Sequence, residues 1–248
     1  MVYCKTVSSI GRYTMRIDKL ISETGFASRS EAAKAARKGN VTVNGVEVKD
    51  LSRHIDPEVD VVTYFGEVVS YQKNIYIMMN KPEGYVSSTD DKSAPIVLEL
   101  LDDRLQNLGL FPCGRLDKYT VGLLILTNDG AAAHRMLSPK KHVEKTYHFR
   151  LSHAITENEV KTLEAGVDIG GFVTKPCRIA MQTPTEGNIT LTEGKYHQIK
   201  RMAEAVKNKI TYLERTAFAG IVLDEALERG EWRYLNDDEM ALIAPYLS

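Results

Sequence analysis

A long motif near the middle of the chain reads Gly114-Arg115-Leu116-Asp117-Lys118-Tyr119-Thr120-Val121-Gly122-Leu123-Leu124-Ile125-Leu126-Thr127-Asn128-Asp129-Gly130. Its second half contains a continuous apolar run that stops at Asn-Asp-Gly, a pattern typical of a short strand buried on both faces. The glycines at 114 and 122 allow the backbone to bend or to approach a ligand closely. The sequence therefore predicts that Asp117 is held at the mouth of a core strand, partly removed from water.

A carboxylate in this position has two interpretations. It can be a nucleophile or a general base, because a catalytic carboxylate must be fixed in place and partly desolvated. It can also be one half of a structural ion pair, which is the more frequent case for part-buried carboxylates. From residue chemistry alone, both interpretations of Asp117 stay open.

The whole motif resembles the catalytic motif of the RNA pseudouridine synthases, in the RsuA family of ribosomal small-subunit enzymes. The resemblance rests on Gly-Arg-Leu-Asp, Thr120 and the following Gly-Leu-Leu-Ile-Leu-Thr-Asn-Asp-Gly. It implies that Asp117 is the catalytic residue. It also implies an α+β fold, in which a small S4-like unit of two helices and a hairpin precedes a catalytic domain. That domain is expected to have a mixed, mostly antiparallel sheet flanked by helices.

Two further motifs flank the central one. Asn80, Lys81 and Pro82 follow a predicted apolar strand and resemble the family's first motif, which implies a supporting role beneath the active site. Tyr147 lies in an alternating strand, where a tyrosine usually packs against its neighbours. The sequence Glu-Lys-Thr-Tyr nevertheless resembles the family's second motif, which implies that Tyr147 stacks on the target base.

A third motif contains Ile199 and Lys200 in a predicted amphipathic helix. Taken alone, the pattern predicts a helix with exposed basic residues. The resemblance implies instead that Ile199 lines the base pocket and that Lys200 pairs with Asp117. A cation within ~4–6 Å keeps a desolvated carboxylate ionised, so we expect the Asp117 and Lys200 side chains to be close. Arg115 is placed to fill the gap left by an extruded base or to bind a phosphate.

The N-terminal part of the chain predicts a small RNA-binding unit. A capping box at Ser28 and Glu31 predicts a helix, Asn44-Gly45 predicts a hairpin turn, and a further strand is predicted over residues 60–69. The order helix, helix, hairpin resembles the S4 domain. The basic residues of the second helix, which are either a solvated face or phosphate contacts, are Arg29, Lys34, Arg37 and Lys38.

The predicted organisation has three parts. Residues 1–14 show no convincing periodicity and are predicted to be a flexible extension that packs little. Residues 15–72 form the S4-like unit with its linker, and residues 73–248 form the catalytic domain. A chain of 248 residues is long enough for two domains.

The composition limits the classes of function. Lys plus Arg number 32 and Asp plus Glu number 33, so the neutral total neither favours nor excludes a nucleic-acid partner. The three cysteines lie far apart, which argues against a disulfide framework and a metal site and favours the cytoplasm. No apolar run approaches the ~20 residues that a membrane span needs. No Gly-x-Gly-x-x-Gly turn or phosphate-binding loop predicts a cofactor.

The resemblance implies an isomerase that acts on rRNA, and together with the composition it leads us to expect a monomer that needs no cofactor or metal and does not associate with a membrane. The Tyr-His-Gln-Ile-Lys form of the third motif favours 16S rRNA, either naked or within a ribosomal assembly intermediate. Two alternatives stay open. One is the same chemistry on 23S rRNA, and the other is an RNA-binding or ribosome-assembly factor that has lost catalysis.

Overall fold

The computed structural model describes residues 13–72 and 74–247, and they divide into two compact units. The first unit contains residues up to 72 together with 103–108, and the second contains the remaining described residues. Most of the predicted N-terminal extension, residues 1–12, lies outside the described residues. Residues 13 and 14 have no regular secondary structure and lead directly into the first strand.

The first unit combines short strands with helices. Its elements are β1 (Met15–Arg16), α1 (Ile17–Glu23), α2 (Arg29–Arg37), β2 (Val41–Val43), β3 (Val46–Glu47), β4 (His54–Ile55), β5 (Val62–Tyr64), β6 (Glu67–Val68) and α3 (Asp103–Gln106). The four-stranded sheet has the order β3-β2-β5-β6, and β1 pairs with β4. Helix α3 belongs here because Arg104 Nε donates to the carbonyl oxygen of Thr24 at 2.8 Å, and its guanidinium lies 4.0 Å from the centre of the Phe26 ring.

Local sequence explains how α2 begins and which face it buries. Ser28 and Glu31 form the predicted capping box, in which each side chain accepts a hydrogen bond from the other residue's backbone N–H. The helix buries the alanines Ala32, Ala35 and Ala36.

The strand predicted over residues 60–69 is a hairpin in the structure. Phe65 and Gly66 both adopt positive φ, 50° and 84°, and form the turn between β5 and β6. A turn with two left-handed residues matches the twist of the strands that it joins.

The second unit is larger. Its elements are β7 (Tyr76–Lys81), a 3-10 helix (Val97–Leu100), β8 (Phe111–Pro112), β9 (Val121–Thr127), α4 (Gly130–Leu137), a 3-10 helix (Pro139–Lys141), β10 (Lys145–Leu151), α5 (Glu157–Ala165), β11 (Arg178–Thr183), β12 (Glu186–Leu191), α6 (Gln198–Ala205), β13 (Ile210–Phe218), β14 (Ile221–Val222), β15 (Trp232–Tyr234), α7 (Asp237–Ile243) and a final 3-10 helix (Ala244–Tyr246).

One nine-stranded sheet organises this unit. Its main order is β11-β12-β10-β13-β9-β7-β15, with β14 against β13 and β8 against β9. Within the described residues, β9 and β13 form the single parallel pair of this sheet. The predicted α+β architecture with a mixed, mostly antiparallel sheet is confirmed.

The centre of the sheet is buried on both faces. Every residue of β7 and β9 is buried, as expected for the apolar run at 123–126. One apolar cluster packs α4 and α7 against these strands, and another packs α5 and α6 against β10, β12 and β13. None of the helices in the described ranges combines the length and the apolarity that crossing a bilayer would require.

Gly122 allows the parallel pair to form. It pairs with Arg215 and has φ +97°, and a Cβ atom at this position would lie 2.4 Å from the Arg215 carbonyl oxygen. The sequence allowed a bend or a close approach to a ligand at this glycine, and the group that approaches it is the backbone of the neighbouring strand.

Candidate active site

The loop that carries Asp117 is fixed from below by a buried lysine. Lys81 is the last residue of β7, and its Nζ donates to the carbonyl oxygens of Pro82, Asp117, Lys118 and Thr120 at 2.8–3.3 Å. Three N–H bonds are thus shared among four acceptors. Because three of those acceptors belong to the 117–120 segment, Lys81 determines how this segment turns.

Two features of the surroundings of Lys81 change its pKa in opposite directions. The residue is fully buried, and burial lowers the pKa of Lys81 to about 8, although the nearby Asp117 carboxylate opposes this change. Two further contacts hold the loop, since Gly84 N donates to the Lys118 carbonyl oxygen at 2.8 Å and Leu116 N donates to Ser87 Oγ at 3.2 Å. The backbone around Asp117 is therefore fixed at several points.

The Asp117 carboxylate pairs with a cation from a distant helix. Lys200 Nζ lies 2.8 Å from Asp117 Oδ2, across 83 residues of sequence. His197 Nε2 lies 3.5 Å from the other oxygen, Oδ1. The three side chains keep about a third of their area exposed, so the pair is reachable by a substrate.

A polar network places the start of α6 beside Asp117. Glu193 Oε1 accepts hydrogen bonds from Gln198 Nε2 at 2.8 Å and from Lys175 N at 2.9 Å. Gln198 Oε1 in turn accepts from Lys195 N. His197 adopts a left-handed conformation with φ 52° immediately before the helix, which is uncommon for a residue other than glycine. Its ring stacks on the exposed Tyr196 ring, with the centroids 3.9 Å apart.

A pocket of about 100 Å³ opens above Asp117. Its walls contain the part-buried ring of Tyr147 and the apolar side chains of Ile199, Leu191 and Leu213. The exposed Arg115 lies at its edge. The pocket thus combines one charged end with apolar walls, which is an arrangement typical of a site for a flat, partly polar ligand.

The predicted site residues fall into three groups. Five of them line this one pocket, namely Arg115, Asp117, Tyr147, Ile199 and Lys200. The first-motif residues lie next to it, where Lys81 and Pro82 take part in the carbonyl network and Asn80 Nδ2 donates to the Leu227 carbonyl oxygen. The predicted RNA-binding residues of the first unit are exposed, namely Arg29, Lys34 and Arg37 of α2 and Lys38 directly after that helix.

Sequence reasoning missed several residues of the pocket. His197 and Thr120 line it, and so does Glu193, which is buried. A signal for the histidine was its place in the third motif, three residues before Lys200. Thr120 lay in the central motif without any predicted role. Among the described residues, no group of three His, Cys, Asp or Glu side chains is arranged to hold a metal ion.

Comparison with known proteins agrees with this geometry. The family model for RNA pseudouridylate synthase matches residues 75–205, and the model for the S4 domain matches residues 15–61. The chain is 46% identical over 234 residues to "Uncharacterized RNA pseudouridine synthase YtzG" of Bacillus subtilis, covering 92% of this chain and 98% of that protein.

Two other relatives are similar over the same extent. The chain is 40% identical over 232 residues to "Ribosomal small subunit pseudouridine synthase A" of Escherichia coli, covering 92% of this chain and all of that protein. A solved structure described as "Crystal structure of pseudouridylate synthase" superimposes with a TM-score of 0.65 at 38% identity, covering 92% of this chain and 99% of the other. The chain therefore belongs to the RNA pseudouridine synthases, which are isomerases, and carries an S4 domain ahead of its catalytic unit.

Proposed function

We propose that this pseudouridine synthase converts one uridine of 16S rRNA to pseudouridine and that Asp117 is its catalytic residue. The observation that carries the proposal is the pairing of Asp117 with Lys200 at 2.8 Å at the end of a pocket that an aromatic ring and aliphatic side chains line. The small-subunit target is supported by the 40% identity to the Escherichia coli protein named for that activity.

The reaction needs an ionised carboxylate and no external group. The bond between N1 of the base and C1′ of the ribose breaks, and a new bond joins C5 to C1′. C5 loses its hydrogen and N1 gains one, so atoms and electrons balance without a redox partner. Asp117 acts either as a nucleophile on the sugar or through the base, and both routes require its charged form. Lys200 Nζ donates a hydrogen bond to Asp117 Oδ2 at 2.8 Å, so a basic side chain lies directly against the carboxylate that the reaction uses.

The pocket walls suit an extruded base. Removing a uridine from its stack costs a few kcal/mol, and stacking on an aromatic side chain returns about 1–3 kcal/mol per base. In the proposal, the Tyr147 ring covers one face of the uracil and Ile199 covers the other. Arg115, at the edge of the pocket, fills the space left in the RNA or binds the phosphate of the flipped nucleotide.

The first unit supplies further RNA contacts in the proposal. The exposed basic residues of α2 bind phosphates, which fix the position of the RNA without reading its sequence. We assign residues 15–72 to this binding function and residues 73–248 to catalysis. Because rRNA is the proposed substrate, the proposed site of action is the cytoplasm.

The target can be tested by mapping pseudouridines in rRNA from cells that lack the gene. We expect one 16S position to lose its pseudouridine and to regain it when the wild-type gene is restored, but not the Asp117→Asn variant. Loss of a 23S position instead would assign the same chemistry to the large subunit. Unchanged maps for both rRNAs would contradict the proposal.

An in vitro assay separates catalysis from binding alone. Purified protein is incubated with protein-free 16S rRNA, protein-free 23S rRNA and assembly intermediates of the small subunit. An enzyme forms pseudouridine in at least one of them, whereas an assembly factor without catalytic activity binds RNA and leaves every uridine unchanged. The preferred RNA also identifies the physiological form of the substrate.

A further inference from the structure

Thr120 carries a buried hydroxyl group that has no hydrogen-bond partner among the described residues. The described parts of the chain contain five Ser or Thr residues that are buried, and four of their hydroxyls are paired. The paired ones belong to Thr24, Ser87, Thr127 and Thr174. Thr120 is only 2% exposed, so its unpaired hydroxyl destabilises the folded protein unless something else binds it.

Thr120 lines the same pocket as Asp117 and Tyr147. Its backbone is fixed on both sides. Thr120 N donates to the Asp117 carbonyl oxygen at 3.0 Å, and Lys81 Nζ donates to the Thr120 carbonyl oxygen at 2.8 Å. A β-branched side chain on such a backbone has few rotamers, so the hydroxyl is held in place before any ligand arrives.

One other buried side-chain atom in the described residues lacks a hydrogen-bond partner, namely Nη2 of Arg215. Unlike Thr120, Arg215 does not line the pocket, and its Nε donates to the carbonyl oxygen of Leu123 in β9. Among the pocket residues that the structure describes, Thr120 is therefore the one whose buried side-chain polar atom has no hydrogen-bond partner.

We propose that the Thr120 hydroxyl donates a hydrogen bond to a ring carbonyl of the target uracil and so positions the base next to Asp117. The inference rests on the proposed assignment of this pocket to the target uridine. A uracil that enters the pocket loses water from its carbonyl groups, and walls made of Leu191, Ile199 and Leu213 return no hydrogen bonds. A uracil carbonyl oxygen in the pocket supplies the acceptor that the Thr120 hydroxyl lacks among the described residues.

The symmetry of the reaction makes a single donor useful before and after the base turns. Turning the ring about the line through N3 and C6 exchanges N1 with C5, as the reaction requires. The same movement exchanges the carbonyl at C2 with the carbonyl at C4. A donor directed at one carbonyl position therefore meets a carbonyl oxygen in the substrate and again in the product.

The first test compares variants of Thr120 in the full-length protein. Thr120→Val keeps the shape and removes the hydroxyl, so we expect the single-turnover rate to fall about 5- to 30-fold, as for a lost hydrogen bond in a buried site. Thr120→Ser keeps the hydroxyl and should stay within about 3-fold of wild type. The melting temperature of the Thr120→Val variant should be unchanged or higher, because the folded enzyme loses no protein hydrogen bond.

Thr127, the last residue of β9, gives a matched control for Thr120, which immediately precedes that strand. Its hydroxyl accepts a hydrogen bond from Asp129 N at 3.0 Å, so Thr127→Val should lower the melting temperature and leave the single-turnover rate within about 2-fold. A Thr120→Val variant that instead melts lower than wild type and turns over normally would show a structural hydroxyl and overturn the proposal.

The second test changes the base. RNA that carries 2-thiouridine or 4-thiouridine at the modified position offers sulfur, a weaker acceptor, in place of one carbonyl oxygen. We expect the Thr120→Val penalty to disappear with at least one of these substrates, because the hydrogen bond is already lost. Equal penalties on all three substrates would assign the hydroxyl to Asp117 or to the pocket structure and overturn the proposal.

The tests distinguish a failure of the proposed role of Thr120 from a failure of the proposed function. The assay uses whichever rRNA the wild-type enzyme modifies, so a 23S target leaves the test valid. Full activity of Asp117→Asn would contradict the proposed site itself. An inactive Asp117→Asn together with a fully active Thr120→Val would contradict only the role of Thr120.

Discussion

Strand β9 has an aspartate beyond each of its ends, and the two carboxylates have different surroundings. Asp129, after the strand, accepts hydrogen bonds at both oxygens: Oδ1 from Ala132 N at 2.9 Å, and Oδ2 from Tyr76 Oη at 2.7 Å and Asn74 Nδ2 at 2.9 Å. It caps α4 and joins that helix to the start of β7.

Asp117, before the strand, is less completely bonded. Lys200 donates to one oxygen, and the His197 ring lies near the other, with Nε2 3.5 Å away. The threonines repeat this difference, since the Thr127 hydroxyl is paired and the Thr120 hydroxyl is not. The comparison distinguishes the two ends of the strand by their hydrogen bonds. At the structural end, the polar side chains have their hydrogen-bond partners within the protein. At the end that meets a substrate, some polar side-chain atoms lack such partners.

The strongest test of this comparison exchanges each aspartate for asparagine. Asp117→Asn should lower the rate of pseudouridine formation at least ~10³-fold, because the reaction needs the charge. Its stability should change by no more than about 1 kcal/mol, since the pair with Lys200 is partly exposed. Asp129→Asn should cost about 2–3 kcal/mol of stability through lost hydrogen bonds to a charged group.

Chemical denaturation and single-turnover assays on the same preparations measure both quantities. The folded Asp129→Asn protein should retain its rate within about 3-fold, because Asp129 touches only structural partners in the described residues. Equal losses of rate in the two variants would break the distinction between the ends of β9.

A second test concerns the buried lysine below Asp117. The pKa of Lys81 is about 8 in the folded protein and ~10.4 in the unfolded chain, so the folded state releases its proton first. Between these two values the unfolded state binds more protons, and stability therefore rises with pH. The measured quantity is the free energy of unfolding of the wild type minus that of the Lys81→Met variant. This difference should increase by about 3 kcal/mol from pH 8 to pH 10.4 and stay level below pH 8.

Urea denaturation of both proteins across this pH range measures the difference. Burial also lowers the pKa of Lys145 to about 8, but Lys145 is present in both proteins and its contribution cancels. A difference that stays constant from pH 7 to pH 10 would contradict the burial of Lys81 among the carbonyl oxygens.

A third test concerns the partner of Asp117. Lys200→Met should lower the single-turnover rate about 10- to 100-fold, because the carboxylate loses the ammonium group that contacts it at 2.8 Å. Lys200→Arg keeps the charge and should stay within about 10-fold of wild type. A Lys200→Met enzyme with the wild-type rate would mean that the ion pair is structural.

The smallest expected effect is on the first unit. Replacing Lys34 and Arg37 of α2 by alanine should weaken rRNA binding about 3- to 10-fold. The slope of log Kd against the logarithm of the salt concentration should decrease by roughly 1.5–2, as for two lost phosphate contacts. Lys49→Ala, an exposed change in the same unit outside α2, serves as the control. An unchanged salt dependence in the double variant would identify α2 as a solvated helix face.

Much of the architecture could be predicted because its signals are local. The capping box at Ser28 and the apolar run of β9 each specify an element within a few residues. The prediction of one continuous strand over residues 60–69 was wrong, because a turn divides this segment into two short strands. Phe65 adopts positive φ, which is rare for a bulky residue, so no local rule identified the turn that divides β5 from β6.

The remaining features depend on contacts between distant segments. The approach of Lys200 to Asp117 could be anticipated because both lie in motifs that resemble those of one family. The four carbonyl oxygens around Lys81 come from up to 39 residues away and leave no pattern in the sequence. The unpaired state of the Thr120 hydroxyl is likewise a property of its tertiary surroundings, and spacing alone carries no sign of it.

The position of β13 between β9 and β10 has a consequence for synthesis of the chain. Its parallel pairing with β9 joins residues that are more than ninety positions apart, so a long loop must close before the centre of the sheet exists. While the ribosome is still translating residues before 210, the nascent polypeptide contains Asp117 and Tyr147 but lacks the strand between them. We therefore expect the enzyme to acquire activity only after β13 has been synthesised, when its N-terminal unit has already had time to fold.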